Sequence, residues 1–170
     1  DEVVYIPMSS GLSSSCETAT LLAQQFDGKV QVVNNQRISL TQRQSVYDAM
    51  TLRDQGKSAK EIKDILEAEK FNSSIYIMVG SLDYLKRGGR VTPAAALLGG
   101  LLRIRPILQI QGEKLDAFAK ARSLKAAKKI MFDALHKDLD GRFKPFVDKK
   151  EMEVYISYTH GQPEQVKQWF

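Results

Sequence analysis

Residues 3–20 read VVYIPMSSGLSSSCETAT, and the fold turns on how this stretch is divided. Val3, Val4, Tyr5 and Ile6 are β-branched or aromatic and carry no charge, the pattern of a buried strand. Pro7 ends the run, and five serines follow between Ser9 and Ser15. Serine is poor inside a helix but good at its start, where its hydroxyl accepts from a backbone N–H that lacks a partner. Ser14 and Glu17 have capping-box spacing, which predicts a helix over about Ser15 to Phe26. A helix start behind a strand is also a place where anions bind, because its first N–H groups point outward and its dipole favours negative charge. In an open α/β sheet the carboxyl ends of the strands form the ligand edge. Two uses of the serines therefore stay open: a helix cap, and a cradle for an anionic, oxygen-rich ligand.

The same grammar repeats downstream. Asp27-Gly28 turns the chain into a second strand, Val30 to Val33. Thr41 and Gln44 are spaced as a second capping box, for a helix closing near Gly56. Ser58 and Glu61 are spaced as a third, with Ile62, Ile65 and Leu66 on one face of its helix. Ser74 to Gly80, SIYIMVG, reads as a third strand. The order β-α-β-α-α-β predicts a parallel sheet covered by helices.

After Gly80 the character changes, and a domain boundary is placed there. Residues 1–80 form part of a first α/β domain and residues 81–170 part of a second. The second half holds a short helix, a Gly88-Gly89 break and the apolar run TPAAALLGGLL. A hairpin is expected over about Arg105 to Gln111 and Lys114 to Lys120, turning near Gly112. A basic helix follows over about Ser123 to Leu139, then a strand MEVYISY and a helix start after Pro163. The fold class is thus α/β, a parallel βαβ-type portion followed by part of a second α/β domain with an antiparallel hairpin.

Composition narrows the class of function. The 170 residues are 43% hydrophobic and 26% charged, as in ordinary folded domains. No apolar run reaches the roughly 20 residues needed to span a bilayer, and no signal-peptide pattern is visible. The single cysteine, Cys16, excludes an internal disulfide framework and fits a reducing, cytoplasmic compartment. With two histidines beside it, a structural zinc site is not expected, and no cofactor is called for. The net charge of +5 permits an anionic ligand or an acidic partner without demanding nucleic acid.

Other readings of the polar residues compete with these. Gly11-Leu12-Ser13-Ser14-Ser15 lacks the second glycine of a nucleophile elbow, and neither His136 nor His160 is set as a base by any motif. Cys16 near a helix start is either a thiol of lowered pKa or a small buried hydrophobe. LKRGGRV sets Lys86, Arg87 and Arg90 around two glycines, either a helix C-cap or a guanidinium fork for a carboxylate or phosphate. The apolar run either packs a core or lines a narrow channel for an apolar chain. Arg103, Arg105, Arg122, Lys125, Lys128 and Lys129 form a basic set without the interleaved aromatics of a nucleic-acid surface. A serine hydrolase, a phosphotransferase using Ser13 and Arg90, and a basic interaction module are the alternatives.

Three blocks carry a resemblance. IPMSSGLSSSCETA, SLDYLKRGGRVTPAAALLGGLLRIRPIL and KARSLKAAKKI together resemble the DegV family of bacterial fatty-acid-binding proteins, over roughly residues 2 to 130. Leu82, Leu85, Gly88, Gly89 and Arg90 form the most specific block. The resemblance implies two domains with a fatty-acid carboxylate held between them and its tail buried in the second. It implies a carrier rather than an enzyme, a subunit that presents the fatty acid to a separate acyl kinase for phospholipid synthesis. Ser13 falls on the carboxylate-contacting serine, with Ser10 and Ser14 beside it. Arg90 falls on the arginine near the head group and Arg122 on a basic position of the Lys-x-Arg block, and the resemblance implies docking or acyl-phosphate contact for both. Neither nucleic acid nor stable membrane insertion is expected. The chain departs from the family pattern at Ser14-Ser15-Cys16, where Gly-Thr-Tyr is usual, and at Asn34-Asn35, where Asp-Ser is usual. It lacks the family's N-terminal Thr-Ser-Gln-Pro and C-terminal His-Thr-Gly-Pro-Gly blocks, and His160 is not the missing histidine. It is therefore read as an internal portion of a longer protein.

Overall fold

The structure, a computed structural model, describes residues 1–98 and 104–158. The order opens with β1 (Val3–Tyr5), α1 (Ser15–Ala23), a 3-10 turn (Gln24–Phe26) and β2 (Val30–Val32). Then come α2 (Ser39–Asp54), α3 (Ala59–Ala68) and β3 (Ile75–Met78). The second half holds α4 (Asp83–Arg87), α5 (Pro93–Leu97), β4 (Arg105–Ile110), β5 (Asp116–Ala121), α6 (Leu124–Asp140) and α7 (Lys144–Asp148). It is a mixed α/β chain.

β1 and β2 pair in parallel, Val4 opposite Gln31, with α1 as their crossover. Asp27 and Gly28, with φ of 47° and 79°, make the left-handed turn into β2. Below this pair Val33, Ile62 and Leu66 are buried, with Val4, Ile6, Ala49 and Leu52 against them. This is the apolar face expected of α3. Its start is a full capping box: Ser58 Oγ accepts from the Glu61 N–H, and the Glu61 carboxylate accepts from the Ser58 N–H at 2.9 Å. Those bonds, with Lys57 close by, hold the Glu61 carboxyl down at about 2.

The other two capping boxes do not form. Ser14 stands before α1 with φ −70° and ψ −4°, already helical, and its side chain makes no cap bond. A capping hydroxyl reaches the N–H two or three residues on from an extended backbone, not a helical one. α2 begins two residues before Thr41, after the extended Ile38, and Thr41 Oγ1 donates back to the Ile38 carbonyl at 2.8 Å.

β3 corrects a larger expectation. It does not extend the parallel sheet but pairs antiparallel with β4, Ile75 opposite Ile110, in the sheet order β3-β4-β5. β4 is the reason. Ile107 packs on one face with Ala121 and Ala127, while Leu108 and Ile110 pack on the other with Leu82, Val91, Ala95, Leu98 and Leu115. A strand buried on both faces needs a neighbour on each side to satisfy its backbone. The hairpin itself is as expected, with Gly112 in its tip at φ 153°.

The expected strand MEVYISY is absent: residues 151–158 carry no ladder. Side-chain contacts to α2 take its place, Tyr155 donating to Gln44 Oε1 at 3.3 Å and Arg43 stacking 5.1 Å over the Tyr155 ring. In the apolar run, Thr92 caps the short α5 and Pro93 opens it. Ala95 and Leu98 are core, while Leu97 is 80% exposed. Gly99, Gly100, Arg103, His160 and the helix start after Pro163 lie outside the described residues.

Candidate functional site

The serine turn leaves β1 through Pro7 and is fixed first by Ser9, which is 1% exposed. Its N–H donates to the Arg37 carbonyl at 3.1 Å, and its own carbonyl accepts from the N–H groups of Leu12 and Ser13 at 2.9 and 3.1 Å. Its hydroxyl donates to the Glu113 carbonyl in the β4–β5 tip at 2.7 Å. Gly11 completes the contact. A Cβ there would lie 2.6 Å from the Glu113 carbonyl oxygen, so only glycine lets the tip approach. Leu12 packs against the core that contains Leu82 and Ala95.

Ser10 and Ser13 are half-buried beside this base. Asn34 Nδ2 donates to Ser10 Oγ at 2.9 Å, and the Asn34 N–H donates to Glu67 Oε1 at 2.8 Å. Asn34 therefore orients Ser10 while α3 holds Asn34. Ser13 Oγ accepts from the Ser15 N–H at 3.2 Å and donates to Ser15 Oγ at 3.0 Å. It does locally, at the start of α1, what Ser14 was expected to do. Ser14 is exposed. A cavity of about 510 Å³ opens beside Ser13, Ser14 and Ser15, walled by Tyr5, Leu22, Phe26 and Val30.

Arg90 comes to the turn from the second half of the chain. Its Nε–H donates to the Leu12 carbonyl at 3.2 Å, and its NH1 group donates to the Gly88 carbonyl. Gly89 at φ 68° makes the bend that brings it there. The Leu115 N–H donates to the Arg90 carbonyl at 3.2 Å, so the arginine and the hairpin tip are one unit. Arg122 is placed differently. It is exposed after β5, at the far end of the hairpin from Glu113, and β5 alone spans about 20 Å. The structure thus sets Ser10, Ser13 and Ser14 on one turn, ties Arg90 to that turn through the Leu12 carbonyl, and leaves Arg122 apart.

Cys16 is 4% exposed, and burial pushes its thiol up, so it behaves as the small buried hydrophobe of the two readings. His136 is exposed on α6. No cluster of metal-ligating side chains occurs among the described residues. Sequence reasoning missed Ser9, Asn34 and the Glu113 carbonyl as builders of the site. Gly11 was the available signal for Glu113, since a glycine between serines marks a close backbone approach. Ser9 and Glu113 are too far apart in the chain for any periodicity to link them.

The arrangement is a helix-start turn rich in hydroxyls, whose Leu12 carbonyl accepts from a guanidinium, in a mixed α/β chain. The family model described as "Uncharacterised protein, DegV family" matches residues 1–170. This chain belongs to the DegV family. A DegV domain-containing protein of Clostridium perfringens is 31% identical over 163 residues, 92% of this chain and 54% of that protein. One from Deinococcus radiodurans is 37% identical over 127 residues, 75% of this chain and 45% of that protein. The chain thus spans about half the length of the curated relatives it matches. Among solved structures, a fatty-acid-binding DegV family protein from Thermus thermophilus superposes with a TM-score of 0.74 at 33% identity. The match covers 83% of this chain and 50% of that one.

Proposed function

We propose that this chain is part of a long-chain fatty-acid carrier, with the carboxylate at the serine turn between two domains. Ser13, with Ser10 and Ser14, donates to the carboxylate, and Arg90 supplies the positive edge. The tail lies in an apolar pocket of the second domain, and residues 1–80 and 81–170 divide between the two domains. The observation that carries this reading is the Arg90 bond to the Leu12 carbonyl, which brings a cation from the second half of the chain to the backbone of the serine turn. Fatty-acid binding by the Thermus thermophilus relative supports it.

The energetics assign the parts. Each buried CH₂ contributes about 0.8 kcal/mol, so the tail dominates affinity and the head sets orientation. The protein then works as a carrier, not as an enzyme, and a partner acyl kinase phosphorylates the presented carboxylate. Arg90 beside the head group and Arg122 on the exposed end of the hairpin are the contacts for that partner or for the acyl phosphate. The setting is the cytoplasm. Among the described residues no helix is long and apolar enough to cross a membrane.

Denaturing extraction of the purified full-length protein, followed by mass spectrometry, tests the reading. A stoichiometric long-chain fatty acid is expected. An empty protein that also fails to take up added hexadecanoate overturns it, and Ser13 is then a plain local cap.

A further inference from the structure

We infer that Ser9 and Gly11 are the positioning residues of the carboxylate cradle, acting through the backbone of Glu113; this rests on the fatty-acid reading above. Ser9 spends every polar group on the protein itself: its N–H on Arg37, its carbonyl on Leu12 and Ser13, its hydroxyl on Glu113. It is buried and presents nothing to a ligand. Yet the carbonyl it offers to the Ser13 N–H ties the Ser13 backbone to this buried base.

The other end of the link is the hairpin tip. Glu113 receives the Ser9 hydroxyl on its carbonyl, stands at contact distance from Gly11, and takes Gln36 Nε2 on its carboxylate at 3.2 Å. Two residues on, Leu115 donates to the Arg90 carbonyl. The tip therefore touches the serine turn directly and holds Arg90 by its backbone. Serine hydroxyls and guanidinium come from opposite halves of the chain, and the Ser9–Glu113 bond with the Gly11 approach fixes the distance between them. A cradle for a planar carboxylate needs that distance held to a fraction of an ångström. Neither residue touches the ligand.

A pair of ligands that share a tail and differ in the head group isolates this role. Dodecanoate and dodecanol are titrated into the full-length protein and into its Ser9→Ala and Gly11→Ala variants. Loss of one buried hydrogen bond that orients the cradle weakens dodecanoate about tenfold, while dodecanol stays within about twofold. Gly11→Ala, which forces Glu113 back by its Cβ, gives the same selective loss and serves if Ser9→Ala does not fold. Equal losses for acid and alcohol overturn the inference, since they mark a merely structural role. An unchanged preference for the acid in both variants also overturns it and leaves the fatty-acid reading standing. A wild-type protein with no preference for the acid overturns that reading and this one together.

Discussion

Arg90 Nε donates to the carbonyl of Leu12 at 3.2 Å, across 78 positions of the chain. Its NH1 group donates at the same time to the Gly88 carbonyl. The guanidinium is thus held in one plane by two carbonyls, with the serine turn under one of them. A planar fork can do this and a point charge cannot.

Arg90→Ala should weaken dodecanoate binding by the full-length protein about tenfold, the scale of a lost charge-assisted hydrogen bond. Arg90→Lys should fail to restore it, because an ammonium does not bridge the Leu12 and Gly88 carbonyls in the same geometry. Calorimetric titration of both variants checks this. Full recovery in Arg90→Lys would mean that charge alone matters at this position.

The capping box of α3 gives a pH signature. The Glu61 carboxyl is held at about 2 in the folded chain, against an ordinary value of 4.5. A depressed carboxyl stabilises the fold above its unfolded value, and this stabilisation is lost as pH falls through the folded one. The advantage of wild type over Glu61→Gln should therefore be complete above about pH 4.5 and shrink steadily towards pH 2. Urea midpoints measured across that range decide it, and a difference that is flat with pH rules the box out as its source.

Ser45 is fully buried and serves two donors, Asn35 Nδ2 at 2.8 Å and an Arg37 guanidinium nitrogen at 3.2 Å. Asn35 Oδ1 and Arg37 Nε already lack partners among the described residues. Ser45→Ala should cost about 2 kcal/mol, by stranding Asn35 Nδ2 in the interior and leaving that Arg37 nitrogen only its 3.8 Å pairing with Asp48. Equilibrium denaturation measures it. A change under about 0.5 kcal/mol, typical of a surface site, would mean that water reaches the pair.

Leu97 and Leu98 are neighbours with opposite roles. Leu98 is 7% exposed in the core and Leu97 is 80% exposed. Leu98→Ala should cost about 2–5 kcal/mol, and Leu97→Ala should stay within about 0.5 kcal/mol. Equal costs in thermal or urea unfolding would show that the second leucine is covered as well.

Local chemistry was legible in the chain, and long-range geometry was not. β1 and β2, α1, the α3 capping box and the β4–β5 hairpin follow from β-branched runs, helical spacing and turn residues, all of which act within a few positions. So does the grouping of Ser10, Ser13 and Ser14 at a helix start. The blocks around Gly11 and Gly88-Gly89 also carry the resemblance to the DegV family in their residues alone. Ser14 and Thr41 misled because capping depends on backbone angles. A residue that is already helical, or already inside the first turn, cannot cap however well it is spaced. Only the tertiary structure sent β3 to β4, because an apolar strand does not state in its own residues which sheet will satisfy its backbone. Only the tertiary structure brought Ser9 to Glu113 and Arg90 to Leu12. Hydrogen bonds between residues so far apart leave no period in the sequence, and they exist only once two separately predictable pieces have packed.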